Sequence, residues 1–334
     1  MRTNSADQDN EALKGESALI PLEQINIPDH IRVFSFPGHD DALDNSVKKY
    51  GMISPVTIIK KGGAFDVVCG VKRINAAKNA DIDSVQAIVM DDSGLSEMGQ
   101  FDIAFSDNNA SRKFNPIEAG GIVSMLMDKF GISQGDIISR YHSVIDFRSG
   151  REGIDTLKKI FLLKDNIKYY IVKWNIPVSA VSRLLDFDRT GIKAVFRMVE
   201  YLQLHGGKLK QFLELVYEIC RRENLKPDAL FEENEIKRIV ENSGITISQK
   251  QTKLTEYLIR MRYPELTKRA DDFIKISSDI QNVDAGTFSP PLNFEGSRLF
   301  AKFAFNSIEE IDNFCSAMKI ESNREKIRSL LDLL

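Results

Sequence analysis

The amino-acid sequence predicts an α+β fold with three parts: an α/β N-terminal domain, an all-helical middle and a small strand–helix unit at the C-terminus. Three observations lead to this prediction. Strand and helix patterns alternate up to about residue 90, and helical patterns alone then continue to about residue 281. An alternating, aromatic-rich stretch and one further helical pattern end the chain. A length of 334 residues fits about two or three such domains.

The N-terminal domain, predicted over 18–114, begins after a polar segment. Residues 1–17 are mixed in charge and have no apolar core, so we expect a disordered tail rather than a signal peptide. The segment ALIPLEQINIP (18–28) alternates as a strand does. A short helix follows, and Gly51 is a natural C-terminal stop for it.

A hairpin and a helix form the predicted centre of this domain. Residues 56–59 and 64–69 have strand composition and are joined by the turn sequence KKGG. Gly70 interrupts the second strand, and VKRINAAKNA (71–80) has the composition of a helix. Residues 85–90 (VQAIVM) are apolar and predict a third strand, so this stretch has the order β-β-α-β.

The helical middle of the chain starts with a strong capping signal. Asn115 can serve as N-cap, Pro116 occupies the first helical position, and Glu118 can return a hydrogen bond to the cap. Helical patterns then continue to about residue 281 without a convincing strand. We predict a helical domain over 115–224 and a helical extension over 225–281.

The end of the chain predicts a linker over 282–297 and a separate unit over 298–334. Residues 298–305 (RLFAKFAF) alternate as a strand, and a helix capped by Asn306 or Ser307 follows. One strand and one helix cannot bury both of their faces, so the open strand edge favours pairing with a second copy of the chain. The alternative is that this unit packs back onto the helical domain.

The composition excludes several classes of protein. The formal net charge is −3, so binding of a polyanion requires a local cationic patch. The three cysteines show no CxxC spacing and the four histidines no HxxxH pair, which argues against a disulfide framework and a Cys/His metal site. No apolar run approaches the length of about 18 residues that a membrane span needs. We therefore expect a cytoplasmic protein.

The junction between the second strand and its helix is the most informative site. Gly70 turns the chain, and the helix that starts at Val71 carries Lys72 and Arg73 in its first turn. A helix N-terminus presents free N–H groups and a partial positive charge, where cations are normally unfavourable. Two cations there suggest that an anion such as a phosphate group neutralises both. The alternative is that both cations are simply solvated.

A second candidate site lies in the polar segment DNNASRK (107–113), just before the helix at Pro116. Its asparagines, serine and two cations predict a loop that can wrap a polar ligand. The alternative is an ordinary polar loop that ends in an N-cap.

Several motifs occur in a family-specific order. They are IPLEQINIP (20–28), Arg32, LDNSVKKYGMISP (43–55), Gly70 to Arg73 followed by two alanines, and Asn108/Asn109 through Arg112 followed by NPIE (115–118). In this order, residues 18–120 resemble the N-terminal domain of the ParB family, whose fold is related to that of sulfiredoxin. Gly70 to Arg73 is similar to the family's G-E-R-R box, and the last motif resembles its E-N-x-x-R motif.

The resemblance implies a domain that binds CTP together with Mg²⁺. The implied nucleotide-binding residues are Gly70, Val71, Lys72, Arg73, Asn108, Asn109, Arg112 and Arg32, and Asn109 is also the implied metal ligand. Lys72 stands where the family has an arginine, and Asn108 where it has a glutamate. Nucleotide binding is implied to close the domain against the helical middle and to convert a dimer into a clamp on DNA.

The middle of the chain resembles the family's DNA-binding region. Residues 132–138 are similar to the first helix of its helix-turn-helix, and 154–185 to the helices after that motif. Because YHSVIDFRSGREG (141–153) is longer than the family's turn, we predict a degenerate helix-turn-helix. Its candidate DNA-binding residues are Arg148, Arg151, Lys158 and Lys159. The alternative is a lengthened, solvated loop in a helical bundle.

The resemblance implies a CTP-dependent DNA-binding protein that acts as a homodimeric clamp in plasmid or chromosome partition, or in regulation of a mobile element. DNA, a nucleotide and a partition ATPase are the implied partners, and the protein would be associated with a nucleoid or plasmid. Weak CTPase activity is left open. One alternative is a small-molecule kinase or nuclease on the same fold, and no motif supports a general base for it. Another is a partner-binding scaffold without nucleotide function.

Overall fold

The computed structural model describes residues 15–91, 94–144, 150–280 and 286–334. It confirms the predicted α+β fold, with a sheet near the N-terminus and helices through the middle of the chain. The chain divides into two compact units. Of the described residues, those within 15–200 and 205–210 form the first unit, and those within 201–204 and 211–334 form the second.

The regular elements follow one another along the chain. The strands are β1 Gly15–Pro21, β2 Ile25–Asn26, β3 Val56–Lys61, β4 Ala64–Cys69, β5 Ser84–Met90, β6 Gly286–Ser289 and β7 Phe300–Phe303. The helices are α1 Asp29–Arg32, α2 Asp41–Tyr50, α3 Val71–Asn79, α4 Glu97–Ser111, α5 Pro116–Ser124, α6 Gln134–Arg140, α7 Gly150–Phe161, α8 Asp165–Lys173, α9 Val178–Leu184, α10 Arg189–Tyr201, α11 Gly206–Arg222, α12 Pro227–Phe231, α13 Asn234–Glu241, α14 Ile247–Arg262, α15 Pro264–Ser278, α16 Ile308–Ala317 and α17 Glu321–Asp332.

The N-terminal sheet has the strand order β1-β5-β3-β4-β2. The β3–β4 hairpin is antiparallel, as predicted, and β3 also pairs with β5 in parallel. Val56, Ile58 and Val67 in the centre of the sheet are fully buried. This burial fixes the position of the β4 terminus, where Gly70 begins the turn into α3.

The start of the chain differs from its prediction in two ways. β1 begins at Gly15, so residues 15–17 belong to a strand and not to the tail; residues 1–14 lie outside the described part of the chain. The single strand predicted over 18–28 is divided, because β1 stops at Pro21, which lacks the N–H group that a ladder needs. A 3-10 turn at Leu22–Gln24 and the short β2 follow.

The polar segment 107–113 was predicted as a loop, and that prediction is wrong for its first five residues. They form the last turns of α4, which Ser96 caps through a hydrogen bond from the Gly99 N–H. Phe101, Ala104 and Phe105 bury one side of this helix. Their helical spacing was available in the sequence, but the polar residues after them obscured it.

The helical middle packs directly on the sheet domain of the first unit. One continuous hydrophobic core extends from the strands to Ile137 in α6 and Ile154 in α7. Gly120 permits the close approach of α5 and α7, because a Cβ atom there would lie 2.3 Å from the backbone oxygen of Leu157. Within the described part of 115–280 the chain forms helices and no strand, as predicted.

The end of the second unit is more structured than predicted. β6 lies inside the predicted linker 282–297 and pairs with β7 in an antiparallel hairpin. Phe273, Ile280 and Leu330 form a small core for this region, which carries two final helices instead of one. Among the helices that the structure describes, none combines the length and the apolar character required to cross a bilayer.

Candidate functional site

Gly70 forms a tight turn between the buried strand β4 and helix α3. Its φ of 103° and ψ of 27° lie in the left-handed region that favours glycine. A Cβ atom at this position would lie 2.8 Å from Cγ1 of Val56 and 3.0 Å from Nη2 of Arg73. The turn therefore requires glycine both for its backbone conformation and for its close packing against Val56 and Arg73.

The N-terminus of α3 leaves its backbone donors available. The first helical hydrogen bond runs from the N–H of Ile74 to the oxygen of Gly70, so the N–H groups of Val71, Lys72 and Arg73 precede the helical ladder. Within the described part of the chain, no side chain caps this helix, and its first turn has no acidic residue. Val71 is buried and can offer only its backbone.

The two cations of this turn lie in different environments. Nη1 of Arg73 donates to the backbone oxygens of Ser54 and Pro55, which holds the guanidinium group beside the Gly70 turn. Lys72 is half-buried and forms no hydrogen bond or ion pair with any residue that the structure describes. Arg73 is thus positioned by the chain, whereas the ammonium group of Lys72 can move toward an anion.

The carboxyl end of β4 meets the last turns of α4. Burial, together with the charge and hydrogen bond of Asp107, raises the pKa of the Cys69 thiol to about 12, and Arg73 partly opposes this. The two sequence-predicted sites therefore approach each other through Cys69 and Asp107. Asp107 was not predicted to contribute, because its proximity to Cys69 depends on the packing of α4 against β4.

The three cysteines are expected to differ sharply in reactivity. The Cys69 thiol is buried with a pKa of about 12, and burial raises the pKa of Cys220 to about 11. Both are therefore protonated at neutral pH, and only the thiolate reacts rapidly. We expect an Ellman titration of the native chain to count one fast thiol, the exposed Cys315, and three after denaturation. Cys315→Ser should remove the fast phase; a second fast thiol would contradict this assignment.

Arg112 lies in a dense network of hydrogen bonds. Its guanidinium forms a two-point ion pair with Glu118, with Nη1 2.7 Å from Oε2 and Nη2 3.0 Å from Oε1. Nε and Nη2 also donate to Oδ1 of Asn108 at 3.2 and 2.9 Å, and Nη2 donates to the oxygen of Phe34. All three guanidinium nitrogens are therefore occupied by acceptors of the protein.

Glu118 is the centre of this network, although the sequence indicated only its capping role. Its residue surface is 1% exposed, and its carboxylate also accepts hydrogen bonds from the backbone N–H groups of Phe36 and Asn115. The predicted capping box with Asn115 is present. Arg112 and Glu118 consequently hold together the segment after α1, the end of α4 and the start of α5.

The other predicted nucleotide residues lie apart from this network. Asn109 is exposed on the last turn of α4. Arg32 ends α1 with its side chain largely exposed; it donates to the oxygen of Ile27 at 3.2 Å and lies 3.7 Å from Asp29. No contact between described residues joins Arg32 to the Gly70 turn. No group of three His, Cys, Asp or Glu residues in the described part of the chain could hold a metal ion.

Helices α6 and α7 occupy the positions of the predicted helix-turn-helix. α7 buries Ile154, Leu157 and Ile160, so its opposite face is directed to solvent. Arg151 and Lys159 are exposed on that face, whereas Lys158 forms an ion pair with Asp128 at 2.7 Å. The fourth predicted residue, Arg148, lies outside the described residues.

A comparison with models of protein families agrees with the resemblance that the motifs indicated. Residues 7–108 match the model of the ParB N-terminal domain. This part of the chain belongs to the ParB N-terminal domain family. The ParB match includes the Gly70 turn, α3 and most of α4, and it ends before Arg112.

Curated relatives extend this similarity beyond the ParB N-terminal domain. The chain is 25% identical over 198 residues to stage 0 sporulation protein J of Bacillus subtilis, an alignment that covers 58% of this chain and 67% of the relative. It is 27% identical over 183 residues to chromosome-partitioning protein ParB of Myxococcus xanthus, with coverage of 53% and 59%. The chain thus spans about two thirds or less of the length of these two relatives.

A solved structure is also similar in part. It is the C-terminally truncated chromosome-partitioning protein ParB from Caulobacter crescentus complexed with CTP-gamma-S. The sequence identity is 20%, the match covers 48% of this chain and 87% of that chain, and the TM-score is 0.24.

Proposed function

We propose that this chain is a CTP-dependent DNA-binding protein of a partition system. The observation that carries the proposal is the Gly70 turn, where free backbone N–H groups, Lys72 and Arg73 converge on one uncapped helix terminus among the described residues. The triphosphate of a nucleotide is the kind of anion that such a terminus binds. The match to the ParB N-terminal domain supports CTP as the nucleotide.

The residues at this turn fit a phosphate group. The N–H groups of Val71, Lys72 and Arg73 would donate to phosphate oxygens, and the two side chains would add charge-assisted hydrogen bonds. A Cβ atom at residue 70 would collide with Val56 and the Arg73 guanidinium, so a side chain there would displace the cation that the proposed site uses. Asn109 is exposed near the end of α4 and would supply an amide oxygen to Mg²⁺, which would offset the charge of the triphosphate.

Arg112 can join a phosphate only by exchanging partners. Each of its guanidinium nitrogens already donates to Glu118, Asn108 or a backbone oxygen. A phosphate contact from Arg112 would therefore replace part of the network that connects α4 to α5. We include Arg112 in the proposed site on this condition, because loss of the Glu118 pair would couple nucleotide binding to movement at the α4–α5 junction.

The proposed contact with DNA is the solvent-facing side of α7. Arg151 and Lys159 are exposed there, while Lys158 would first have to leave Asp128. The carboxylates of Glu152 and Asp155 share this exposed side, so favourable contacts depend on the exact register of α7 along the phosphates.

The proposed protein is a homodimer that works at a nucleoid or plasmid, with a partition ATPase as a further partner. The C-terminal unit supports self-association, because its small β6–β7 sheet leaves apolar side chains in solvent. Phe300 is 54% exposed on β7, and Ile308 is 73% exposed at the start of α16. Two copies that pair these surfaces would bury side chains that one chain leaves exposed.

Calorimetry with nucleotides tests the proposed site. We expect the wild-type chain with Mg²⁺ to bind CTP in preference to ATP and GTP. Arg73→Ala should weaken CTP binding at least about 10-fold, because it removes a charge-assisted hydrogen bond worth about 1.5–3 kcal/mol. Lys78→Ala is the matched control, since Lys78 is an exposed cation near the other end of α3. Equal effects of the two substitutions, or no binding of any nucleotide by the wild-type chain, would contradict the proposed site.

A further inference from the structure

Helix α10 has two chemically different sides. Its buried side packs against α8 within the first unit. The Tyr170 and Phe196 rings lie 5.4 Å apart there, and the Tyr170 hydroxyl donates to the oxygen of Val199 at 3.3 Å. The exposed side carries three cations at intervals of four residues. These are Arg189, Lys193 and Arg197, which we call the α10 cationic face.

The helical geometry aligns these three side chains. Each interval of four residues advances about 6 Å along the axis and rotates the side chain by about 40°. The α10 cationic face is therefore a straight ridge about 12 Å long that remains within one side of the helix. Ala194, Val195 and Val199 lie on the other side and are buried, so the ridge is directed away from the core.

The stretch of sequence that contains this ridge is rich in cations. Residues 151–210 contain twelve lysines and arginines against six aspartates and glutamates, although the whole chain has a net charge of −3. Glu200 is the one carboxylate on the exposed side of α10. The nearby Asp188 accepts hydrogen bonds from the N–H of Gly191 at 2.6 Å and the hydroxyl of Thr190 at 2.9 Å, so it serves as the helix cap.

Arg189 lies at the N-terminus of α10, beside the Asp188 cap. Arg189 is the first residue of α10, and the first turn of this helix contains no acidic residue. The Asp188 carboxylate at this end offsets the unfavourable interaction of Arg189 with the helix dipole, so the candidate anion site is the ridge of three cations and not the helix terminus. Three cations at regular intervals of about 6 Å fit an anion that is itself repetitive, such as the phosphate backbone of a nucleic acid.

We propose that the α10 cationic face is a second phosphate-binding surface for duplex DNA, separate from the solvent-facing side of α7. The inference rests on the proposed DNA-binding function and adds a contact that carries no base specificity. Arginine at two of the three positions suits this role, because its guanidinium binds phosphate oxygens in pairs. Such a surface would raise affinity for DNA of any sequence and would make that affinity strongly dependent on salt.

The salt dependence of DNA binding tests this surface in the full-length chain. Fluorescence anisotropy with a short labelled duplex of arbitrary sequence gives the association constant across a series of KCl concentrations. The test variant is R189Q/K193Q/R197Q. If all three cations contact phosphates, the slope of log K against log[KCl] should become shallower by about 2.7, since each phosphate contact contributes about 0.9.

Two matched variants make the result specific. R260Q/R269Q/K253Q removes the same number of arginines and lysines from exposed positions of the second unit, and we expect it to leave the slope unchanged. R189K/K193R/R197K retains every charge of the α10 cationic face and should retain the wild-type slope. Circular dichroism of each variant establishes that the helices are intact.

Each outcome of this experiment is decisive. A shallower slope in the α10 variant alone supports the second surface. A wild-type slope in the α10 variant overturns the inference and leaves DNA binding through α7 intact. Equal losses in the α10 variant and in the second-unit variant show a general effect of net charge and also overturn it. If the wild-type chain binds no duplex at any salt concentration, the proposed DNA-binding function itself fails, and this inference fails with it.

Discussion

Replacing Glu118 by alanine is expected to destabilise the first unit by about 3 kcal/mol. The substitution leaves the Arg112 guanidinium and the backbone N–H groups of Phe36 and Asn115 without their carboxylate acceptor. Removal of one partner from a buried ion pair costs about 3–5 kcal/mol. We expect the lower end of this range, because the Arg112 side chain is 31% exposed and water can partly replace the lost contacts.

The effect can be measured in the full-length chain. Trp174 is the only tryptophan, and it belongs to the first unit, so its fluorescence during urea denaturation follows the unfolding of that unit. Glu97→Ala is the control, since Glu97 pairs with Lys129 at 2.8 Å while both side chains are well exposed, and such pairs contribute about 0–1 kcal/mol. If the two substitutions cost the same, Glu118 does not hold the α4–α5 junction.

A double-mutant cycle separates the ion pair from the other contacts of Glu118. Arg112→Ala, Glu118→Ala and the double variant should show a coupling energy of about 1–3 kcal/mol. Part of the Glu118→Ala effect will remain in the Arg112→Ala background, because Glu118 also accepts from two backbone N–H groups. A coupling energy near zero would assign the stabilisation to those backbone contacts alone.

The elements that the sequence predicted well are those with local causes. The β3–β4 hairpin follows from its apolar strands and glycine turn, and the capping box follows from three neighbouring side chains. The Gly70 turn was also predictable, because a glycine between an apolar strand and a helix start is typical of a backbone that must turn sharply. These features require little knowledge of distant parts of the chain.

The features that the sequence did not predict depend on tertiary contacts. Arg112 and Glu118 lie close together in the sequence. The stability of their ion pair nevertheless depends on burial beneath the backbone of Phe34 and Phe36. Only the similarity of motifs indicated that Arg112 binds the nucleotide. In the described structure its donors are all occupied, so a nucleotide contact would have to replace part of the Glu118 pair. The sequence also did not predict strand β6, because β6 forms by pairing with β7.

Replacing Gly70 by alanine is expected to weaken CTP binding about 100-fold or more. The new Cβ atom would lie 2.8 Å from Val56 and 3.0 Å from the Arg73 guanidinium, so the turn or Arg73 must move. The φ of 103° adds backbone strain of about 1–3 kcal/mol for any residue other than glycine. Both effects act on the donors that the proposed site offers to phosphate, which is why we expect a larger loss than for Arg73→Ala.

Gly62→Ala provides the matched comparison for this substitution. Gly62 has a φ of 60° in the β3–β4 turn, and no atom of a described residue lies within 4 Å of a Cβ atom placed there. It should therefore lose some stability through its backbone and keep the wild-type affinity for CTP. Calorimetry on both variants distinguishes a general loss of stability from obstruction of the site. If Gly70→Ala binds CTP as tightly as Gly62→Ala, the phosphate groups do not lie at the Gly70 turn, and the nucleotide must be sought elsewhere in the first unit.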